Sequence, residues 1–354
     1  MRSLFKNSEL QAKFESDGFV KLSLLEQSEV DHLLSYYKSC DFDNKIEEGF
    51  HISLDNLNQN LVTEVGEEIK KVLVPKTVDI FDRGQVFTAS YVIKEPGLQN
   101  IVPPHQDWSF VDESEFCSVT VWTPLVDVTQ DNGALGVIKG SHKLFNHHRS
   151  SPSPQSKSSL ADHIFTLFPF VEIVEMKAGE TLIFNNKLIH ASPPNLSKEP
   201  RIAVGIGITQ EEAKLRHYYH IPNSEPAQLE VYEVEKEFYT WYNNARLSGL
   251  YDKGENPTDL TKIDTIDRIV PDLSKSEMED LINTLDNVSI NHELMQKLAG
   301  LFGYEADEKG IREKAPKEET VPSPENNSDE RSFFQKYTPG NIWRELAWRI
   351  KGRK

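Results

Sequence analysis

Residues 116–140 read FCSVTVWTPLVDVTQDNGALGVIKG. Two short runs rich in β-branched and aromatic residues flank an Asp-Asn-Gly turn, and alternation at a period of two is the signature of a strand with one face buried. The same pattern extends outward on both sides. VFTASYVIK lies upstream, and FVEIVEM, GETLIF and RIAVGIGIT follow downstream, broken by Pro-Gly, Asp-Asn-Gly and Ala-Gly-Glu turn signals. Many short strands with turns between them predict a sandwich or small barrel, mainly β with flanking helices, rather than a parallel sheet with crossover helices.

The flanks are helical. FESDGFVKLSLLEQSEVDHLLSYYKS predicts a strand, a turn and a helix capped by Ser28, with Val30, Leu33, Leu34 and Tyr37 at helical spacing. A second helix is expected in NQNLVTEVGEEIKKVLVP, with Leu61, Val65, Ile69 and Val72 on one face and Pro75 as its stop. Beyond about residue 256 the period returns to helix. Ser274 and Glu277 have capping-box spacing, Leu281 and Leu285 continue that face, and Leu294, Leu298 and Leu301 form another. The expected organisation is therefore a β domain over 1–255, a helical extension over 256–304, a disordered linker over 305–330 that is rich in Glu, Lys, Pro, Ser and Asn, and a basic aromatic amphipathic tail over 331–354.

Composition narrows the function. With 354 residues, 38% of them hydrophobic, the chain can bury a sizeable core. A net charge of -17 opposes nucleic-acid binding, which needs a surplus of Lys and Arg against phosphate. The charged amino terminus and the absence of any 18-residue apolar run predict a cytoplasmic protein. Two cysteines, Cys40 and Cys117, lie outside any CxxC pair, which favours a reducing compartment and no structural zinc.

Chemistry concentrates in PPHQDWSF, residues 103–110. Residues i and i+2 of a strand share a face, so His105 and Asp107 present an imidazole and a carboxylate side by side, with Gln106 turned away. An HxD triplet alone also arises by chance on solvated strand ends. A two-histidine, one-carboxylate metal site needs a third ligand from another strand. His190, after the strand GETLIF and before a polar turn, suits that role, and Arg201 opens the next strand as an anchor for an anion. Ala203, Gly205 and Gly207 alternate along that strand and leave room beside the guanidinium.

Together these residues resemble the phytanoyl-CoA dioxygenase family of iron(II)- and 2-oxoglutarate-dependent oxygenases. HQD is similar to that family's first metal motif, VWTPLVDVTQDNGAL to its tryptophan-bearing strand and Asn-Gly turn, KGSH to its Pro-Gly-Ser/Thr-His turn, and HASPPN with Arg201 to its closing motif. DGFVKL followed by a helix is similar to its entry segment, so the likeness covers roughly residues 11–220. Lys139 stands where the family usually has proline. The resemblance implies a double-stranded β-helix, a jelly-roll or cupin-like barrel. It implies Fe(II) held by His105, Asp107 and His190, 2-oxoglutarate as cosubstrate, O2 as oxidant and stimulation by ascorbate. Arg201 and Ser192 would hold the distal carboxylate, with Trp122 and Ser90 lining that pocket. It further implies hydroxylation of an unactivated C–H bond in a small molecule, since related halogenases replace the carboxylate ligand with a small residue.

Other readings stay open at this level. A barrel without turnover could serve as a binding or scaffold protein recruited through its tail. A cupin-type enzyme without 2-oxoglutarate predicts a clustered HxH motif and no distal arginine, and neither is present. His142 could contact substrate or bond a loop carbonyl, while His147, His148 and His163 read as solvated loop residues. Residues 132–161 contain no Asp or Glu, and carry Lys139, Lys143, Arg149 and Lys157. This basic island, in a Ser/Pro-rich segment that reads as a mobile lid, predicts a rim for an anionic substrate with His142, Lys143 and Arg149 as contacts, or alternatively a loop paired to the acidic surface. Phe333, Phe334, Trp343, Trp348 and the interleaved Arg and Lys residues of the tail suit a peripheral membrane or protein contact, or a helix folded back on the acidic body.

Overall fold

The computed structural model describes residues 2–42, 49–153, 155–156, 158–257, 260–286, 288–307 and 310–312. The amino-terminal part runs α1 (Ser8–Asp17), β1 (Phe19–Ser23), α2 (Gln27–Ser39), β2 (Phe50–Ile52), α3 (Gln59–Thr77) and β3 (Gly84–Lys94). The middle comprises β4 (Val102–His105), β5 (Ser118–Pro124), β6 (Gly136–Val137), α4 (Ile164–Leu167), β7 (Glu172–Ile173), β8 (Glu180–Asn185), β9 (His190–Ser192) and β10 (Arg201–Gln210). Then follow β11 (Leu215–His220), β12 (Gln228–Val234), α5 (Phe238–Trp241), α6 (Asn244–Tyr251), β13 (Thr261–Asp267), α7 (Lys275–Asn283), α8 (His292–Phe302), β14 (Glu305–Asp307) and β15 (Gly310–Arg312).

Two antiparallel sheets carry the architecture, one ordered β1-β8-β5-β10-β3-β2 and the other β4-β9-β6-β7. Alternation along β10 separates two cores. Ile202, Val204, Ile206 and Ile208 join Val119, Val121, Ile183, Tyr91 and Ile93 beneath α1, α2 and α3, which contribute Phe14, Val30, Leu33, Val65, Ile69 and Leu73. The opposite face supplies Trp122, Leu182, Phe184 and Ala203, which pack with Val137 of β6 and with Leu135 and Leu188. On the far side of the four-stranded sheet, Ile138, Ile189 and Ala191 meet Met278 and Ile282 of α7 and Leu294, Met295 and Leu298 of α8. Helices thus cover both outer faces, and a mixed interior lies between the sheets. A third sheet, β11-β12-β13, adds an aromatic cluster in which Phe87 meets Phe238 and Tyr239.

Several boundaries differ from the sequence reading for identifiable reasons. Helix α1 precedes the expected strand. Its cap Asn7 accepts from the backbone of Glu9 and Leu10, and Gly18 closes it in the left-handed region at φ 84°. Helix α2 starts at Gln27 rather than after Ser28, because the Glu29 carboxylate takes the Glu26 N–H at 2.9 Å. Helix α3 runs through Pro75 to Thr77: a proline this close to the end forfeits one hydrogen bond, and Thr77 Oγ1 donates to Val74 O at 2.7 Å. Its buried face is Val62, Val65, Ile69 and Leu73, one residue round from the expected Leu61 and Val72.

The domain limits shift as well. Strand β13 pairs with β12, so the β region extends past residue 255 into the segment expected to be helical. Residues 305–307 and 310–312 form a hairpin with Ile311 buried against the α8 cluster, so the linker cannot begin at 305. The Ser274–Glu277 capping box of α7 is present. Cys40 and Cys117 are free thiols. No helix among the described residues is long and apolar enough to cross a membrane. The expected tail, and most of the expected linker, lie outside the described residues.

The α3 face yields a stability test. Ile69 is fully buried, so Ile69→Ala should cost about 2–5 kcal/mol in urea unfolding. Leu61→Ala, at a partly buried site, should cost clearly less. Equal losses would place the core face elsewhere.

Candidate metal centre

The antiparallel pairing of β4 with β9 sets His105 directly opposite His190. Their ring centroids lie 4.1 Å apart. Asp107, just beyond β4, brings Oδ1 to 3.9 Å from His105 Nε2 and 3.7 Å from His190 Nε2. Among the described residues these three form a group whose candidate ligand atoms all fall within 4.8 Å of one another. Two short strands from positions 85 residues apart in sequence create the cluster.

The donor set suits a metal ion. His105 Nδ1 lies 2.9 Å from Pro103 O and His190 Nδ1 3.0 Å from Leu188 O. A carbonyl only accepts, so each Nδ1 donates a proton to it and each Nε2 faces Asp107. Burial first, and then the adjacent His190 ring, hold the His105 imidazole down to about 4, so it is neutral at pH 7. The Asp107 carboxylate is divided in use. Oδ2 accepts from Asn186 Nδ2 at 2.8 Å and from Thr120 Oγ1 at 3.3 Å, which leaves Oδ1 for the cluster. Gln106 points away, donating to Lys187 O at 2.5 Å.

Asn186 was invisible as a functional residue in the sequence. It is 1% exposed, its Nδ2 also reaches Thr120 Oγ1 at 2.8 Å, and its carbonyl accepts the Asp107 N–H at 3.0 Å. A buried asparagine immediately after a strand carries no spacing signal; only its partner 79 residues away defines its task.

Deeper in the interior, Arg201 is 1% exposed and its Nε has no partner. Nη1 makes one long bond to Val92 O at 3.3 Å, and the guanidinium carbon sits 5.1 Å from the Trp122 ring centroid. Burial pushes this guanidinium down to about 9, and no carboxylate pairs with it among the described residues. A buried cation with an orphaned donor is costly unless an anion completes it. Space for one exists: Gly205 lies between Ser90 and Trp122 in the sheet, and a Cβ there would meet only Val92 Cγ2, at 3.7 Å. Ser90 is buried beside it.

Lys94, directly across from Arg201, is a second buried cation that sequence reading missed. Its Nζ donates to Ser192 Oγ at 2.6 Å, Ser192 O at 3.1 Å and Pro193 O at 2.7 Å. The Ser192 hydroxyl also donates to Gly133 O at 2.7 Å. Burial, with Arg201 nearby, lowers Lys94 well below the usual lysine range. Ser192 is therefore occupied by Lys94 and a loop carbonyl rather than free beside Arg201.

The basic island is corrected in its physical role. Lys139 pairs with Asp17 at 3.4 Å, Lys143 Nζ donates to Ser16 O at 2.9 Å, and Arg149 pairs bidentately with Glu113. His142 Nε2 bonds Glu15 O at 3.2 Å, the loop-carbonyl alternative. Lys139, Lys143 and His142 thus anchor the carboxyl end of α1, where carbonyls lack helical partners. His163 is buried and His148 stacks on Tyr218 at 4.4 Å, so neither is a solvated loop residue. The Ser/Pro segment is stitched down rather than open: Ser151 N donates to Tyr218 O at 3.0 Å, and its hydroxyl bonds His217 Nδ1 at 3.0 Å. Lys157 lies outside the described residues.

Residues 16–203 match the family model described as phytanoyl-CoA dioxygenase (PhyH). The chain is 31% identical over 142 residues to phytanoyl-CoA dioxygenase 1 of Oryza sativa subsp. japonica, covering 37% of this chain and 47% of that protein. It is 33% identical over 144 residues to phytanoyl-CoA dioxygenase of Arabidopsis thaliana, again covering 37% and 47%. The matches thus span about half the length of these curated relatives. Among solved structures, HygX from Streptomyces hygroscopicus with nickel, 2-oxoglutarate and hygromycin B bound is similar at a TM-score of 0.41 and 14% identity, over 58% of this chain and 88% of that one. The epimerase SnoN in complex with Fe3+, alpha ketoglutarate and nogalamycin RO is similar at a TM-score of 0.39 and 16% identity, over 59% and 85%.

The Asn186 clamp is open to direct measurement. Asn186→Ala strips Asp107 Oδ2 and Thr120 Oγ1 of a shared buried donor and should cost about 1–3 kcal/mol in urea unfolding. A loss below ~0.5 kcal/mol would show that solvent replaces the amide without penalty.

Proposed function

The chain belongs to the phytanoyl-CoA dioxygenase family, and on that basis we propose that it is a non-haem Fe(II)- and 2-oxoglutarate-dependent dioxygenase that hydroxylates an unactivated C–H bond of a small molecule. The observation that carries this reading is the convergence of two imidazole Nε2 atoms and one free carboxylate oxygen within 4.8 Å, beside an interior arginine that lacks an anion. Two antiparallel sheets, with His105 and His190 paired on the smaller one, fit the arrangement expected of a double-stranded β-helix.

In this reading His105, Asp107 and His190 would hold Fe(II), and the ion with bound 2-oxoglutarate would supply the oxidising chemistry that turns the cosubstrate into succinate and CO2 and places one oxygen atom of O2 in a C–H bond. The protein supplies geometry. Pro103 O and Leu188 O accept from Nδ1 of each imidazole and hold both rings with Nε2 toward Asp107, the atom that would meet the metal. Asn186 and Thr120 hold one carboxylate oxygen, which leaves Oδ1 as the Asp107 atom that would meet the metal. Arg201 would receive the distal carboxylate of 2-oxoglutarate beside Gly205, and its fork matches that planar group. Trp122 walls the pocket under the guanidinium, and Ser90 borders it. Lys94 holds Ser192 and Pro193 in place rather than meeting the cosubstrate itself. The bonded state of Lys139, Lys143 and Arg149 removes the argument for an anionic substrate from that loop.

Two outcomes test the proposal. His105→Ala, Asp107→Ala and His190→Ala should each abolish substrate-independent succinate formation from 2-oxoglutarate with Fe(II), while circular dichroism stays unchanged. Near-normal turnover in any of the three removes that residue from the ligand set. Arg201→Ala should raise the 2-oxoglutarate requirement ~30-fold or more, since truncating one side of a buried charge pair costs about 2–5 kcal/mol. An unchanged requirement excludes Arg201 from the pocket.

A further inference from the structure

We propose that Arg149 is a positioning residue for Asp107, so that the segment after the KGSH turn serves the metal centre through the backbone of one ligand. This rests on the reading of His105, Asp107 and His190 as metal ligands. Arg149 Nε donates to the Asp107 carbonyl at 2.6 Å, from 42 residues away in sequence. The rest of its fork is engaged with Glu113, with Nη1 at 2.8 Å from Oε2 and Nη2 on Oε1. Both side chains are nearly buried, at 9% and 10% exposure.

Ser109 closes the ring. Its N–H donates to Arg149 O at 3.0 Å, its hydroxyl accepts the Arg149 N–H at 3.0 Å and donates to Glu113 Oε2 at 3.0 Å. Asp107, Ser109, Glu113 and Arg149 thus form one closed hydrogen-bonded unit around the loop that follows β4. On the other side of the same residue, the Asp107 N–H is fixed by Asn186 O at 3.0 Å.

Asp107 lies beyond the last residue of β4, so no sheet ladder fixes its backbone. With one peptide group held by Asn186 and the next by Arg149, φ and ψ of Asp107 are set, and with them the direction in which Cβ carries the carboxylate. The planar guanidinium suits this task because its three nitrogen positions leave at fixed angles; a lysine could pair with Glu113 but could not also reach the carbonyl in the same geometry. Glu113 offsets the charge of Arg149, so this pair adds no net charge to compete with a cation. Groups of this kind outside the ligand set typically change metal affinity 10–100-fold when removed.

Co(II) titration of the metal-free full chain, followed by d–d absorption, tests the idea without recourse to turnover. Wild type should bind Co(II) and His105→Ala should lose the band; a wild type that takes up no Co(II) would overturn the metal-site reading and this proposal with it. Arg149→Gln should bind Co(II) ~10–100-fold more weakly with a displaced band. Glu113→Gln should move affinity in the same direction, and Arg149→Lys should recover only part of the loss. If Arg149→Gln melts like wild type without metal yet keeps wild-type affinity and spectrum, Arg149 merely ties down the loop and the proposal fails. Should Arg149→Gln not fold, Ser109→Ala takes its place, because it loosens the ring without stranding a buried charge: weaker Co(II) binding supports the clamp, and unchanged affinity with an unchanged band overturns it.

Discussion

Alternation along β10 is the constraint on which the rest of the molecule depends. Its even-numbered isoleucines and valine enter the core beneath α1 to α3, while Arg201, Ala203 and Gly205 face the space between the sheets. A register slip of one residue would drive a guanidinium into the helix core and turn isoleucines into the pocket. Pairing with β3 on one side and β5 on the other, over most of its length, makes that slip expensive. The same register sets Gly205 between Ser90 and Trp122, so the space beside the arginine is a consequence of strand pairing.

Interior polarity is what this arrangement has to sustain. Arg201 and Lys94 face each other across two paired strands, both almost fully buried. Lys94 meets three oxygens and so is satisfied as a hydrogen-bond donor. Arg201 is not, and its unpartnered Nε is the feature of the interior that asks for an anion. One cation thus serves as scaffold for the β9 turn, while the other is left with capacity for a ligand.

Around the candidate centre, His105 and His190 obtain their orientation from carbonyls two residues earlier in their own chain segments. Asp107 obtains its orientation only from remote groups: Asn186, Thr120 and Arg149. The difference follows from position. Both histidines lie on strands whose ladder already directs the ring, whereas the aspartate stands just past the end of β4, where the backbone must be held by other means.

Period-two runs, turn residues and the HxD triplet were legible in the sequence, because strand alternation and turn chemistry act over two to four neighbouring residues. They led to a mainly β fold, to His105, Asp107 and His190 as candidate ligands, and to Arg201 beside small residues. Helix faces and ends were legible only approximately: Val62 and Leu73 replaced Leu61 and Val72 on the buried face of α3, because both stripes are apolar and the sheet decides which is covered. What only the tertiary structure decided was partnership. A lysine in a basic loop, an asparagine after a strand and a lysine at a strand end all look solvated in one dimension. Folding brought Lys139 to Asp17, Asn186 to Asp107 and Lys94 to Ser192, across 98 residues in the last case. Hydrogen bonds and ion pairs depend on separations of a few ångströms in space, and sequence position carries no record of such distances once the chain has turned back on itself.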